Sequence, residues 1–130
     1  MTFREKKILV VEDHADTAEL IQRQLEQIGY PISLVAIDGP DALQKAREQN
    51  PDLILMDISL PGMSGFQVAA KLKADPLTRP IPILAVTAKA MPGDREACLQ
   101  SGCDGYLAKP FFPEQLKAEI EKLLTNNNEP

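Results

Sequence analysis

Short apolar runs recur along the chain and alternate with amphipathic segments. The clearest, at residues 7–11, is continuous and rich in β-branched residues, a pattern typical of strands covered on both faces, as in parallel sheets. Four similar short runs follow, at residues 31–37, 52–56, 81–86 and 104–108. The pattern predicts five strands.

Between these runs, apolar residues recur at helical spacing. From Ala18 to Ile28 they fall on one face, Asp16 and Glu19 resemble a capping pair that opens the helix, and Gly29 closes it. The later helices are expected to bury Ala42, Leu43, Ala46, Phe66, Ala69, Leu72, Leu116, Ile120 and Leu123. Pro92 suits the first position of the fourth helix. Five strands alternating with five helices predict an α/β fold with a mainly parallel sheet and right-handed crossovers.

The length of 130 residues fits one domain, which we place at residues 1–124. Residues 125–130 contain no apolar side chain and are expected to form a disordered tail. No stretch approaches the ~20 apolar residues that span a membrane, and the N-terminal apolar run is too short for a signal peptide. These features predict a cytoplasmic protein with no membrane association.

The net charge indicates the kind of partner to expect, and the cysteine spacing indicates the state of the thiols. A net charge of −5 without a basic run disfavours nucleic-acid binding, which depends on neutralising phosphates, so a protein partner is expected. Cys98 and Cys103 have no companion ligands at metal spacing. We expect them to be reduced packing and loop residues.

Polar residues that can carry chemistry follow four of the predicted strands. Glu12 and Asp13 follow the first, Asp57 the third, Thr87 the fourth and Lys109 the fifth. The carboxyl ends of parallel strands meet at one edge, where open α/β sheets bind ligands. The pattern therefore predicts one site built from these five residues.

Three carboxylates in one cleft repel each other unless a cation is present. Oxygen ligands without a cysteine or histidine cluster favour Mg²⁺ or Mn²⁺. A carboxylate beside such an ion can attack phosphorus to form an aspartyl phosphate, with Asp57 as the nucleophile. Lys109 would supply positive charge to the phosphoryl oxygens, and the Thr87 hydroxyl would donate a hydrogen bond to one of them.

Over residues 6–124 the sequence resembles receiver domains of two-component signalling. Asp13, Asp57, Thr87 and Lys109 are separated by 44, 30 and 22 residues, as strand–helix–strand repeats require. The motifs in family order are Glu12-Asp13, Asp57, Thr87-Ala88, Tyr106 and Lys109-Pro110. The resemblance implies a flavodoxin-like, doubly wound (βα)5 fold with strand order 2-1-3-4-5 and helices on both faces.

The resemblance also implies how the site works. Asp57 would accept a phosphoryl group from a histidine kinase or a histidine phosphotransfer protein. Mg²⁺ would be bound by Asp13, Asp57 and the backbone carbonyl of Ser59, with Glu12 acting through water. The protein would catalyse only its own phosphorylation and dephosphorylation, so it is not expected to be an enzyme acting on other substrates.

The same resemblance implies roles for further residues. The Lys109-Pro110 peptide bond would be cis. After phosphorylation, Thr87 would move toward the phosphoryl group and Tyr106 would turn inward, remodelling the face formed by helix four, strand five and helix five for a target protein. Ser59 and Lys89 occupy positions that vary in the family, so the phosphoryl lifetime should differ from that of regulators with an amide and an acid there.

Three other functions compete with a stand-alone response regulator. A relay receiver, related to those of hybrid histidine kinases, would use the same chemistry and is favoured by the residues after Thr87. A phosphatase of the haloacid dehalogenase type would need a second aspartate where Ser59 stands. A flavodoxin-like cofactor binder would need a Ser/Thr/Gly-rich phosphate loop after Val11. His14, directly after the acidic pair, is unusual and is assigned no role.

Overall fold

A five-stranded parallel sheet with strand order 2-1-3-4-5 forms the centre of the fold. The structure is a computed structural model that describes residues 6–88 and 93–127. Its elements are β1 (Lys7–Val11), α1 (Ala15–Gln27), β2 (Ile32–Ala36), α2 (Gly39–Gln49), β3 (Leu53–Asp57), α3 (Gly65–Ala74), β4 (Ile83–Thr87), α4 (Asp94–Ser101), β5 (Gly105–Ala108) and α5 (Pro113–Asn127). The predicted flavodoxin-like α/β fold and strand order are confirmed.

Helices cover both faces of the sheet, so successive residues of each central strand enter opposite halves of the core. Leu9 and Ile54 pack on the face covered by α2, α3 and α4, whereas Ile8 and Leu55 pack on the face covered by α1 and α5. Every residue of β3 and β4 is buried. This two-sided burial explains why these strands are continuous apolar runs.

The first helix begins differently from the sequence prediction. Its N-cap is His14, whose side chain makes no capping hydrogen bond, and Asp16 lies inside the first turn. Asp16 therefore cannot cap the helix as predicted. The His14 N–H instead donates to the Glu12 carboxylate, so the helix start is tied to the end of β1.

Several element ends lie a few residues from their predicted positions. Asp57 and Thr87 are the last residues of β3 and β4 and do not follow them. Helix α5 extends to Asn127, three residues into the segment predicted to be a tail. Pro92 lies outside the described residues. None of the helices that the structure describes is long and apolar enough to cross a bilayer.

Candidate functional site

The register of the sheet brings the strand ends with polar residues to the same level. Val11 is paired with Met56, Asp57 with Val86, and Thr87 with Ala108. The residues just past β1 and β5, together with the last residues of β3 and β4, therefore line one edge of the sheet. This edge contains all five residues that the sequence predicts to form a site.

Glu12 is a buried carboxylate with two partners. Its side chain is 1% exposed, Oε1 accepts a hydrogen bond from Lys109 Nζ at 3.0 Å, and Oε2 accepts one from the His14 N–H at 3.2 Å. Burial by itself raises the pKa of Glu12, but the hydrogen bonds from Lys109 and His14 outweigh it and leave the pKa below its ordinary value. Glu12 is consequently held ionised at neutral pH.

Asp13 and His14 extend this cluster toward solvent. One donor atom each from Glu12, Asp13 and His14 lie within 4.8 Å of one another. Asp13 Oδ1 is buried and accepts no hydrogen bond from the described part of the protein, although His14 Nδ1 lies 3.4 Å away. A buried acceptor without a donor is unfavourable. The carboxylate oxygens of Glu12 and Asp13 fit a hard divalent cation, which would satisfy that acceptor.

Asp57 is 7% exposed and lies near the charges of Glu12, Asp13 and Lys109. Its Oδ1 accepts a hydrogen bond from the Ser59 N–H at 3.0 Å. Burial raises the pKa of Asp57 most strongly, and the negative charges of Glu12 and Asp13 raise it further. The Ser59 N–H and the positive charge of Lys109 only partly offset this rise.

The raised pKa of Asp57 predicts that Asp57→Asn stabilises the fold at neutral pH. A carboxyl whose pKa is higher in the folded state favours folding when protonated, and this advantage is lost as pH rises through the folded pKa. Asparagine resembles the protonated form. In urea unfolding with EDTA, the variant should therefore be more stable than the parent at neutral pH, and the difference should disappear below the ordinary pKa of aspartate.

The exposed Asp16→Asn substitution in the first turn of α1 is the control, since it relieves no buried charge and should give no such gain. Lower stability of Asp57→Asn than of the parent at neutral pH would contradict the prediction. It would mean that the bond from Ser59 outweighs desolvation and repulsion.

Thr87 and Lys109 belong to neighbouring strand ends and are joined through the backbone. The Lys109 N–H donates to the Thr87 carbonyl at 2.8 Å, and the Lys109–Pro110 peptide bond is cis. Thr87 is buried, whereas the Lys109 side chain is 21% exposed. The structure thus brings both residues to the edge occupied by Asp57.

Tyr106 lies on β5 and is partly buried against the apolar cluster beneath α4. Burial raises the pKa of its hydroxyl, and the charges of Asp94 and Cys98, both on α4, add to the effect. Ser59 is exposed on the loop after β3. Lys89 lies outside the described residues.

Sequence reasoning missed Gly65, the first residue of α3. A Cβ at this position would lie 2.7 Å from the Asp57 carbonyl oxygen and 2.7 Å from Ile58 Cα, and the Gly65 N–H donates to the Ile58 carbonyl at 3.0 Å. The helix start was visible as Ser64 and Gln67, which form a capping box. The requirement for glycine arises from the approach of α3 to the backbone beside Asp57.

The sheet order and the acidic cluster at its carboxyl edge define a flavodoxin-like α/β protein with a candidate metal site. Comparison with known proteins identifies the family. The family profile for the response regulator receiver domain matches residues 8–121. The chain therefore belongs to the receiver domains of two-component response regulators. Receiver domains act as phosphoryl-accepting signal switches and bind Mg²⁺ in the active site.

This chain covers different shares of the proteins that it resembles. The polar-differentiation response regulator DivK of Brucella ovis is 46% identical, over 88% of this chain and 96% of that protein. The alkaline phosphatase synthesis transcriptional regulatory protein PhoP of Bacillus subtilis is 40% identical, over 92% of this chain. The chain spans only 48% of PhoP, about half its length.

Solved structures also resemble this fold closely. A putative response regulator from Chloroflexus aurantiacus has a TM-score of 0.87 and 32% identity, covering 92% of this chain and 98% of that one. The receiver domain of the sensor histidine kinase PA1611 from Pseudomonas aeruginosa has a TM-score of 0.84 and 38% identity, with the same coverage. A magnesium ion is coordinated in the active site cleft of that domain.

Proposed function

We propose that this chain is a response regulator that accepts a phosphoryl group on Asp57. The observation that carries the proposal is the position of Asp57, a buried carboxylate of raised pKa at the edge occupied by two further acids and Lys109. Cations would relieve the electrostatic repulsion between these carboxylates. The arrangement suits transfer of an anionic group in the presence of a divalent ion.

Asp13, Asp57 and the Ser59 carbonyl would hold the Mg²⁺, with Glu12 acting through water. Asp13 Oδ1 is buried and accepts no hydrogen bond from residues 6–88 and 93–127, which supports this assignment, as do the carboxylate oxygens at the site. When bound, the ion supplies positive charge that offsets repulsion between the carboxylates and the incoming phosphoryl oxygens. Mn²⁺ offers the same coordination chemistry.

The chain's own residues position the reacting groups. The Ser59 N–H orients the Asp57 carboxylate through its bond to Oδ1, leaving the other oxygen to attack phosphorus. The new O–P bond forms as the P–N bond of the donor phosphohistidine breaks, and its electron pair stays on the imidazole. Lys109, now bonded to Glu12, is near enough to influence Asp57 and would neutralise a phosphoryl oxygen. The Thr87 hydroxyl would donate to another.

Signalling would then proceed through the face formed by α4, β5 and α5. Tyr106 lies on this face and packs against the core beneath α4, so its inward movement after Thr87 shifts would alter α4. The partners would be a histidine kinase or phosphotransfer protein as donor and a protein target. The expected stand-alone organisation stays a prediction.

A second role, as a phosphorelay receiver passing the group to another histidine, uses the same site. It is favoured by the similarity to the PA1611 receiver domain, which belongs to a sensor histidine kinase. The phosphatase alternative is disfavoured because Ser59 stands where a second acid is needed.

Incubation with acetyl phosphate and Mg²⁺ followed by intact mass measurement tests the proposal. We expect the mass to increase by one phosphoryl group, and we expect no increase in EDTA or in Asp57→Asn. The Asp16→Asn chain is the matched control and should be labelled like the parent. An unchanged parent mass, or labelling that survives Asp57→Asn, would overturn the proposal.

A further inference from the structure

The last turn of α4 ends in a hydrogen-bond pattern that brings two cysteines together. The Cys103 N–H donates to the Cys98 carbonyl at 3.0 Å, and the Gly102 N–H donates to the Leu99 carbonyl at 3.2 Å. Gly102 has a φ of 114°, in the left-handed region. These features define a Schellman motif, in which the side chains at the positions of Cys98 and Cys103 commonly contact each other.

Both thiols are free and buried in the same apolar cluster. Cys98 is 0% exposed and Cys103 is 4% exposed. Burial raises the pKa of Cys98, and the Cys103 side chain partly offsets the rise. Both side chains belong to one apolar cluster, as expected for residues at these two positions of a Schellman motif. Ser101 Oγ lies 4.0 Å from Cys103 Sγ and adds a polar neighbour to the pair.

We propose that Cys98 and Cys103 are a modification site that forms a reversible intrachain disulfide across the α4–β5 junction. The oxidant is a small-molecule disulfide such as oxidised glutathione. One cysteine thiolate attacks it and releases the first reduced thiol, and the second cysteine then attacks the mixed disulfide. The S–S bond between Cys98 and Cys103 forms as the second small thiol leaves, and both cysteine protons end on the released thiols.

The fold limits access to these thiols without preventing it. Burial raises the pKa of Cys103 to about 12, so the closed structure holds few thiolates. Helix α4, however, has eight residues, of which only Cys98 is buried, whereas α3 buries four of its ten. Few buried contacts make local opening of a helix less costly. Oxidation should therefore proceed through opening of the last turn of α4.

The disulfide would restrain the face assigned to signalling. Tyr106 packs against the cluster that contains both cysteines, and Cys98 influences its pKa. A bond from Cys98 to Cys103 would hold the end of α4 against the start of β5. An inward movement of Tyr106 would require this junction to shift. This consequence rests on the proposed function, whereas formation of the disulfide does not.

The test uses the complete chain treated with oxidised glutathione, denatured, alkylated with iodoacetamide and digested with trypsin. Trypsin cuts after Arg95 and Lys117 but not at Lys109, which precedes proline, so one peptide contains both cysteines. We expect this peptide to lose two hydrogens and carry no alkyl group, and dithiothreitol to restore double alkylation. Cys98→Ser and Cys103→Ser should each lack the internal disulfide.

Unmodified thiols, a stable glutathione adduct or a disulfide between two chains in the parent would each overturn the proposal. The disulfide should also form in Asp57→Asn, which separates this claim from the proposed phosphorylation. If the pair is coupled to the signalling face, acetyl phosphate with Mg²⁺ should change the rate of disulfide formation in the parent and not in Asp57→Asn. Equal rates in the parent would refute the coupling.

Discussion

Lys109→Gln is expected to slow phosphorylation of Asp57 by about 100-fold, the typical effect of removing one charge-stabilising donor. Lys109 is the cation that contacts Glu12 and lowers the pKa of Asp57. Glutamine retains a hydrogen-bond donor but supplies no charge to the phosphoryl oxygens. Single-turnover labelling with acetyl phosphate at saturating Mg²⁺, followed by intact mass, measures the rate.

The same variant should be less stable at neutral pH by about 2 kcal/mol, because it leaves the buried Glu12 carboxylate without its cation. The pKa of Glu12 is lowered in the folded parent, so its contribution to stability is present above the ordinary glutamate pKa and is lost as pH falls through the folded pKa. Lys109→Gln reduces that contribution. Urea unfolding should show the largest difference near neutral pH and a smaller one in acid.

Lys122→Gln is the matched control, since that side chain is 61% exposed and 4.0 Å from Glu119, a surface pair expected to contribute little. It should change neither the labelling rate nor the stability appreciably. Lys109→Arg keeps the charge on a different shape and should restore stability better than rate. Labelling of Lys109→Gln at the parent rate would refute the proposed role of Lys109.

The positions of residues that are fixed by the sheet itself could be predicted from the sequence. Continuous apolar runs identified β1 and β3 because both faces of these strands are covered, and parallel order then brought Asp57, Thr87 and Lys109 to one edge. These inferences need only strand direction and alternation with helices. Shifts of one or two residues at strand ends did not disturb them.

Contacts between side chains distant in sequence could not be predicted. Lys109 and Glu12 are 97 residues apart, and sequence indicates only that both reach the same edge. Which carboxylate the lysine contacts depends on relative burial, since Glu12 is almost fully enclosed and most needs a cation. The contact of His14 with Glu12, through the His14 N–H, likewise depends on how the start of α1 packs against the end of β1.

Gly65→Ala should destabilise the fold by about 2 kcal/mol, the usual cost of inserting a methyl group where packing is already tight. The new Cβ would lie 2.7 Å from the backbone of both Asp57 and Ile58, and backbone cannot move aside as a flexible side chain can. Helix propensity alone predicts the opposite sign, a gain of up to about 1 kcal/mol. The sign of the change in unfolding free energy therefore decides between these effects.

Gly62→Ala separates steric overlap from backbone strain. Gly62 has a φ of 75°, but no described atom lies within 4 Å of its Cβ position, so this substitution should cost only about 1 kcal/mol from strain. Gly65→Ala alone should also slow labelling by acetyl phosphate, because relief of the overlap must move the Asp57 carbonyl and the loop that supplies the Ser59 N–H. Equal or greater stability of Gly65→Ala relative to the parent would mean that α3 can shift without disturbing Asp57, and the labelling rate should then be unchanged.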